Sequence, residues 1–256
     1  MEDTIKEQLV RIEESEGIRI FFACESGSRA WGFPSADSDF DVRFLYIQPL
    51  DWYLHIDPGR DVIERPISEG LDINGWDLRK ALQLFRKSNP PLMEWLGSPI
   101  VYRETTSIAS RMRDLAPTFY SPISSTYHYL QMARRNFKEY LYGGTVWVKK
   151  YFYVLRPLLA AQWIEQGRGV VPTEFGVLVD RLVGTPELRR AIDELLVQKR
   201  SGAELDSGPR IPAISEFIES ELARWESQEV PAGVGQGDTA ELDRLFREAL
   251  REVWGV

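Results

Sequence analysis

Asp37, Asp39 and Asp41 stand on alternate positions and run into the apolar stretch FDVRFLYI, a short distance after Gly27 and Ser28. Side chains on a strand alternate faces, so Phe40, Val42, Phe44 and Tyr46 should point one way while Asp39, Asp41 and Arg43 point the other. Two carboxylates sharing a face repel each other at that range, and a hard divalent cation with oxygen ligands neutralises them, magnesium being the natural choice. Gly27-Ser28 follows the buried-strand pattern IRIFFAC and offers backbone N–H groups and a hydroxyl, the donors that a triphosphate tail held against a metal requires. The turn and the carboxylates suit one ligand.

The elements that must position these groups are legible in the pattern of apolar residues. Ile5, Leu9 and Ile12 recur at helical spacing before Gly17, which predicts a helix, a stop and then the strand IRIFFAC. FDVRFLYI is the next strand, with further strands expected at DVIERPI and LDING. The helix DLRKALQLFRKS is closed by Asn89-Pro90-Pro91, and Asp77 is its expected N-cap. Beyond residue 100 the pattern turns helical, through TSIASRMRDLA, SSTYHYLQMARRNFKEYLY, TVWVKKYFYVLRPLLAAQWIEQG, PELRRAIDELLVQKR and IPAISEFIESELARW. The expected architecture is an α/β (α+β) domain with a mixed sheet over residues 1–100, followed by an all-helical domain over 101–256 that completes a cleft. The stretch ESQEVPAGVGQGDTAE reads as a linker, after which ELDRLFREALREVW returns to the body.

Composition narrows the class. With 256 residues, 43% of them hydrophobic, the chain can bury one good core or two modest ones. No apolar run approaches the length of a membrane span, and the acidic amphipathic start is unlike a signal sequence, so a soluble cytoplasmic protein is expected. The single cysteine, Cys24, excludes internal disulfides and multi-cysteine metal sites; at the end of an apolar strand it reads as a core thiol. His55 and His128 have no metal-ligand spacing. A net charge of −8 argues against a surface dedicated to long nucleic acid, so any polynucleotide would be gripped locally. DSDFDVRFLYIQ begins like a calcium loop but places Val42 and Gln48 where that loop needs Gly and Glu.

Gly27-Ser28, ten residues, then Asp39-Phe40-Asp41-Val42 resembles the signature of the DNA polymerase beta-like nucleotidyltransferase superfamily. The longer runs GSRAWGFPSADSDFDVRFLY, LDINGWDLRKALQLFRKSNPPLMEWLGSPIVY and KKYFYVLRPLLA are similar to its RNA-repair, RNA-ligase-associated branch, a resemblance covering roughly residues 18–172. It implies transfer of a nucleotidyl group from a nucleoside triphosphate to a hydroxyl, with release of pyrophosphate and two Mg2+ (or Mn2+) ions. It further implies that Asp39 and Asp41 bridge the ions, that Gly27 and Ser28 hold the β- and γ-phosphates with help from Arg29, and that Asp72 supplies the third carboxylate.

Other basic residues carry weaker signals. Lys80 and Lys87 lie two turns apart on a face of their helix away from Leu78, Ala81, Leu82 and Phe85, and are either solvated or phosphate-binding. Lys149, Tyr153 and Arg156 follow i, i+4, i+7 spacing, and the resemblance favours a substrate-facing role for them. The acceptor stays open among an RNA end, a protein hydroxyl and a small molecule. A catalytically silent nucleotide-binding regulator is the alternative from another class, against which retention of all three carboxylates speaks.

Overall fold

The computed structural model describes residues 1–35, 37–68, 70–201, 206–233 and 235–256. The chain opens with α1 (Glu2–Glu16), β1 (Arg19–Glu25), the helical turn α2 (Gly27–Ala30), β2 (Phe40–Ile47) and the short α3 (Leu50–Tyr53). It continues through β3 (Val62–Glu64), β4 (Leu71–Asp77), α4 (Leu78–Arg86), α5 (Pro90–Leu96), β5 (Val101–Glu104) and α6 (Ile108–Phe119). Then follow α7 (Pro122–Asn136), a π-helical turn over Phe137–Leu141, β6 (Thr145–Trp147), a 3-10 turn over Val148–Lys150 and α8 (Tyr151–Glu165). The last elements are α9 (Phe175–Leu182), α10 (Pro186–Arg200), β7 (Ser207–Pro209), α11 (Pro212–Ser227) and α12 (Thr239–Trp254).

Five strands form a mixed sheet in the order β3-β4-β2-β1-β5, in which β2 and β4 run parallel and the other neighbours antiparallel. The alternation in FDVRFLYI is realised: Val42, Phe44 and Tyr46 join Ile5, Leu9 and Ile12 of α1 in one buried cluster, with Phe40 packed at its margin. The opposite face of β1 and β2 is met by α4, α5 and α6, which explains the unbroken apolar run Ile20–Cys24 within β1. The fold class is therefore as expected, a mixed-sheet α/β body with helices concentrated in the later chain.

Contacts gather the chain into two units, one of Met1–Ala30, Asp39–Tyr120 and Gly235–Val256, the other of Trp31–Ser38 and Ser121–Val234. This division is not a single cut at residue 100. Two features move it: Val101–Glu104 is a strand, β5, paired with β1, and α6 packs on that same sheet. The proposed linker sits where the chain passes from the second unit back to the first, and its Val234 lies outside the described residues. The segment TVW, expected to be helical, instead forms β6 and pairs with β7, in keeping with its β-branched and aromatic residues.

Within the second unit, α7 packs along α8, and α9, α10 and α11 complete the packing. Residues 31–33, within the signature's ten-residue spacer, are knitted into this unit. Phe33 stacks on Phe152 at 4.5 Å, the Trp31 carbonyl accepts from the Phe175 N–H at 2.9 Å, and Arg200 donates to the Gly32 carbonyl at 2.9 Å. Among the described residues, no helix is long and apolar enough to cross a membrane.

Candidate active site

The parallel register of β2 and β4 sets Asp41 directly opposite Asp72. Neither residue is within thirty positions of the other by local structure, so only strand pairing brings the two carboxylates together. Arg43, two residues further along the same face of β2, reaches back between them. Its NH2 donates to Asp72 Oδ2 at 2.7 Å and to Asp41 Oδ1 at 3.3 Å, while NH1 donates to the Val42 and Asp72 carbonyls, each at 3.0 Å. The guanidinium fork suits this multiple contact, and the side chain is only 15% exposed. Burial pushes the Asp41 carboxyl above its ordinary value; Arg43 pulls it down, and the charges of Asp72 and Asp39 push it up.

Asp39 precedes β2 and is exposed, with its carbonyl accepting from Arg29 Nε at 3.2 Å. The Arg29 guanidinium lies 3.7 Å over the Phe40 ring, so this arginine is held at the start of the same strand. Gly27 and Ser28 open α2 immediately after β1, both half-buried, and the Ser26 N–H donates to the Asp41 carbonyl at 2.8 Å. Gly27 has φ +59°, and a Cβ added there would overlap Asp41 Oδ2 and come within 2.9 Å of its Cγ. Glycine is required on both counts, conformation and space.

Glu25 is the residue that motif reasoning missed. It ends β1, is 0% exposed, and its Oε1 accepts from the Asp41 N–H at 2.7 Å, while Oε2 accepts from the Tyr102 hydroxyl. Burial pushes its carboxyl up, opposed by those two donors. A glutamate directly after the apolar run Ile20–Cys24 and just before the Gly-Ser turn was the available signal, because glutamate is rarely buried without partners.

Asp77 occupies a different place. Its Oδ1 accepts from the Arg79 N–H at 2.8 Å, capping α4, and its Oδ2 accepts from the Tyr53 hydroxyl at 2.6 Å. Five residues along β4 separate it from Asp72, about 16 Å at the usual rise per residue. Lys80, at that same end of the strand, pairs with Asp61 at 3.1 Å, and Lys87 is the exposed C-cap of α4. Neither lysine is brought to the carboxylate pair by the strands that carry it.

In the second unit, Lys149 lies in the 3-10 turn before α8 rather than in the helix and pairs with Asp206 at 3.5 Å. Tyr153 and Arg156 do share a helix face, and Trp31 covers it: its ring meets Tyr153 edge-on at 5.8 Å and lies 4.7 Å from the Arg156 guanidinium. Arg156 is 2% exposed and donates to the Thr173 carbonyl. The expected outward-facing Lys149–Tyr153–Arg156 surface is thus divided, with its inner end buried by the signature's own spacer. Cys24 is fully buried and burial raises its thiol, in keeping with a core role.

Among the described residues, no group of three His, Cys, Asp or Glu side chains stands ready to hold a metal ion. What converges is a pair, Asp41 and Asp72, already drawn onto one positive charge, with Asp39 close enough for its charge to act on Asp41. Oxygen donors of this kind fit a hard divalent cation.

YcgL, an uncharacterized protein of Bacillus subtilis (strain 168), is 51% identical to this chain over 255 residues, 99% of this chain and 98% of that one. A nucleotidyltransferase-like protein from Exiguobacterium sibiricum 255-15, known from its crystal structure, aligns over 96% of this chain and 76% of that one, with 13% identity and a TM-score of 0.32. The profile of the RNA repair pathway DNA polymerase beta family matches residues 1–248. That match takes in the Gly-Ser turn, both register-paired aspartates and nearly all of the helical region, and on it this chain belongs to the RNA repair pathway DNA polymerase beta family.

Proposed function

We propose that this protein transfers a nucleotidyl group from a nucleoside triphosphate to a hydroxyl acceptor, an RNA end, with release of pyrophosphate. Its family and mixed-sheet fold make it a polymerase beta-like nucleotidyltransferase. The observation that carries the finer reading is the register pairing of Asp41 with Asp72, with the Gly27 backbone packed against the Asp41 carboxylate. Nucleotidyl transfer needs this combination, because charge develops on oxygens around the α-phosphorus while the triphosphate tail must be held close to the carboxylates.

In this reaction the acceptor oxygen bonds to the α-phosphorus, the bond from that phosphorus to the β-phosphate oxygen breaks, and the electron pair leaves with pyrophosphate. Asp72 takes the acceptor's proton on its carboxylate. Gly27 and Ser28 hold the β- and γ-phosphates, and Arg29, kept at the start of β2 by Phe40 and the Asp39 carbonyl, adds positive charge beside them. Asp39, Asp41 and Asp72 would hold Mg2+ or Mn2+, which supplies Lewis-acid stabilisation of the charged phosphoryl oxygens. The net charge of −8 favours an acceptor gripped at its end rather than along its length.

The test is incubation of the purified chain with each labelled nucleoside triphosphate and Mg2+ or Mn2+, in the presence of RNA, protein or small-molecule fractions. Label is expected in RNA, at an end. Label in protein or in a small molecule keeps the chemistry and changes the acceptor; triphosphate binding with no transfer to any fraction supports a silent nucleotide-binding regulator.

A further inference from the structure

Arg43 makes four hydrogen bonds, two to the carboxylates that would hold a metal and two to the carbonyls of Val42 and Asp72. A surface arginine forms such pairs loosely and to little effect, but here the arginine is 15% exposed and the aspartates 30% and 26%. Partial burial strengthens each charge-assisted bond, and the planar fork lets one cation serve several oxygens. The charge of the two carboxylates is consequently half offset by the chain itself, and one oxygen of each accepts from Arg43.

A divalent cation held by both carboxylates would sit against the guanidinium that already bridges them. Guanidinium and metal bound to the same two carboxylates are two positive charges at a spacing where they repel. We propose that Arg43 is the resident counter-cation of the Asp41–Asp72 pair, and that a divalent cation binds there in competition with it, displacing its guanidinium. The inference rests on the nucleotidyltransferase reading above and adds a consequence to it: metal affinity in the absence of nucleotide is held down by an internal competitor. The displaced side chain carries its charge with it on a strand position next to the site.

The experiment is a titration of the full-length protein with Mn2+, following the electron paramagnetic resonance signal of the free ion, in the wild type, Arg43→Gln and Arg43→Lys. Arg43→Gln is expected to bind Mn2+ tighter by about tenfold, the equivalent of one lost hydrogen bond to a charged group. Arg43→Lys keeps the charge and loses the fork, so its affinity falls between the two. Thermal unfolding gives a second readout. Without metal, Arg43→Gln unfolds at a lower temperature than the wild type, because two carboxylates face each other unpaired, and added Mn2+ raises its midpoint by more than the wild type's.

Unchanged or weaker Mn2+ binding by Arg43→Gln overturns the inference while leaving the transferase reading intact. Absence of Mn2+ binding by every variant overturns both. Should Arg43→Gln fail to fold, Arg43→Lys decides: tighter binding than wild type supports displacement, and equal or weaker binding refutes it.

Discussion

The backbone of Gly27 lies against the carboxylate of Asp41, so close that a Cβ on residue 27 would overlap Oδ2. The turn that is proposed to hold phosphates and the carboxylate proposed to hold metal are therefore parts of one packed arrangement. Gly27→Ala should displace Asp41 as well as strain a backbone at φ +59°. Gly32 is the control, since it has φ +90° but nothing within 4 Å of an added Cβ. Both substitutions should cost about 1–2 kcal/mol through conformation alone. Only Gly27→Ala should also reduce nucleotidyl transfer, by about a hundredfold. Equal activities in the two variants, measured with labelled triphosphate, remove Gly27 from the site.

Glu25 holds the Asp41 N–H from inside the sheet. Glu25→Ala leaves that buried donor and the Tyr102 hydroxyl without their acceptor, and should lower unfolding stability by about 1–3 kcal/mol. Glu25→Gln keeps one oxygen for Asp41 and should recover most of the transfer activity that Glu25→Ala loses. A denaturant titration paired with the transfer assay checks both parts. Full activity in Glu25→Ala means that Asp41 does not depend on it for position.

Asp41 and Asp72 should differ in what their loss does. Asp72→Asn removes the proposed proton acceptor, so turnover falls at least about a hundredfold while triphosphate affinity changes little. Asp41→Asn disturbs the carboxylate packed beside Gly27 and should weaken triphosphate binding as well. Calorimetric titration with a non-hydrolysable triphosphate in Mg2+ separates the two; identical dissociation constants in both variants contradict the assignment.

Asp77 carries a pH signature. Its carboxyl is pushed up from 3.8 to about 6, chiefly by burial, against the pull of the Tyr53 hydroxyl and the Arg79 N–H. An acid whose pKa rises on folding holds its proton more tightly in the folded state. Its contribution to stability is complete below about pH 4 and is lost as pH rises through about 6, amounting to roughly 3 kcal/mol at most. Asp77→Asn keeps an acceptor for capping and does not ionise. Relative to wild type, its melting temperature should improve between pH 4 and pH 7.5, and a difference that does not vary with pH would falsify this account.

Arg156 and Lys149 should differ in what their loss costs. Arg156→Met removes a buried cation bonded to the Thr173 carbonyl and stacked on Trp31, and should cost about 2–3 kcal/mol with triphosphate affinity nearly unchanged. Lys149→Met breaks an exposed pair with Asp206 and should cost less than about 1 kcal/mol. Equal costs in melting measurements, or a loss of triphosphate affinity in Arg156→Met, contradict the structural role of Arg156.

Where neighbours along the chain decide, the amino-acid sequence was sufficient. The alternation Phe40, Val42, Phe44, Tyr46 against Asp41 and Arg43 depends only on strand geometry and is realised against α1. Asp77 as the cap of α4 depends on a free N–H two residues away. The Gly-Ser turn and the aspartates that follow it are a contiguous signature, so the family was legible from them. Tertiary structure decided the rest. Which strand lies beside β2, and in what register, is settled by packing across the whole sheet; that register puts Asp72 rather than Asp77 opposite Asp41. Glu25 reaches the Asp41 N–H only because β1 and β2 pair, and Val101–Glu104, four residues with little pattern of their own, become a strand because β1 offers an unfilled edge. Arg43 was visible on the carboxylate face, but its position between two aspartates, one of them twenty-nine residues distant in sequence, exists only once the parallel pair has formed. Partners fixed by short-range geometry can be read from a chain, whereas partners chosen by long-range pairing depend on every other element that competes for the same edge or face.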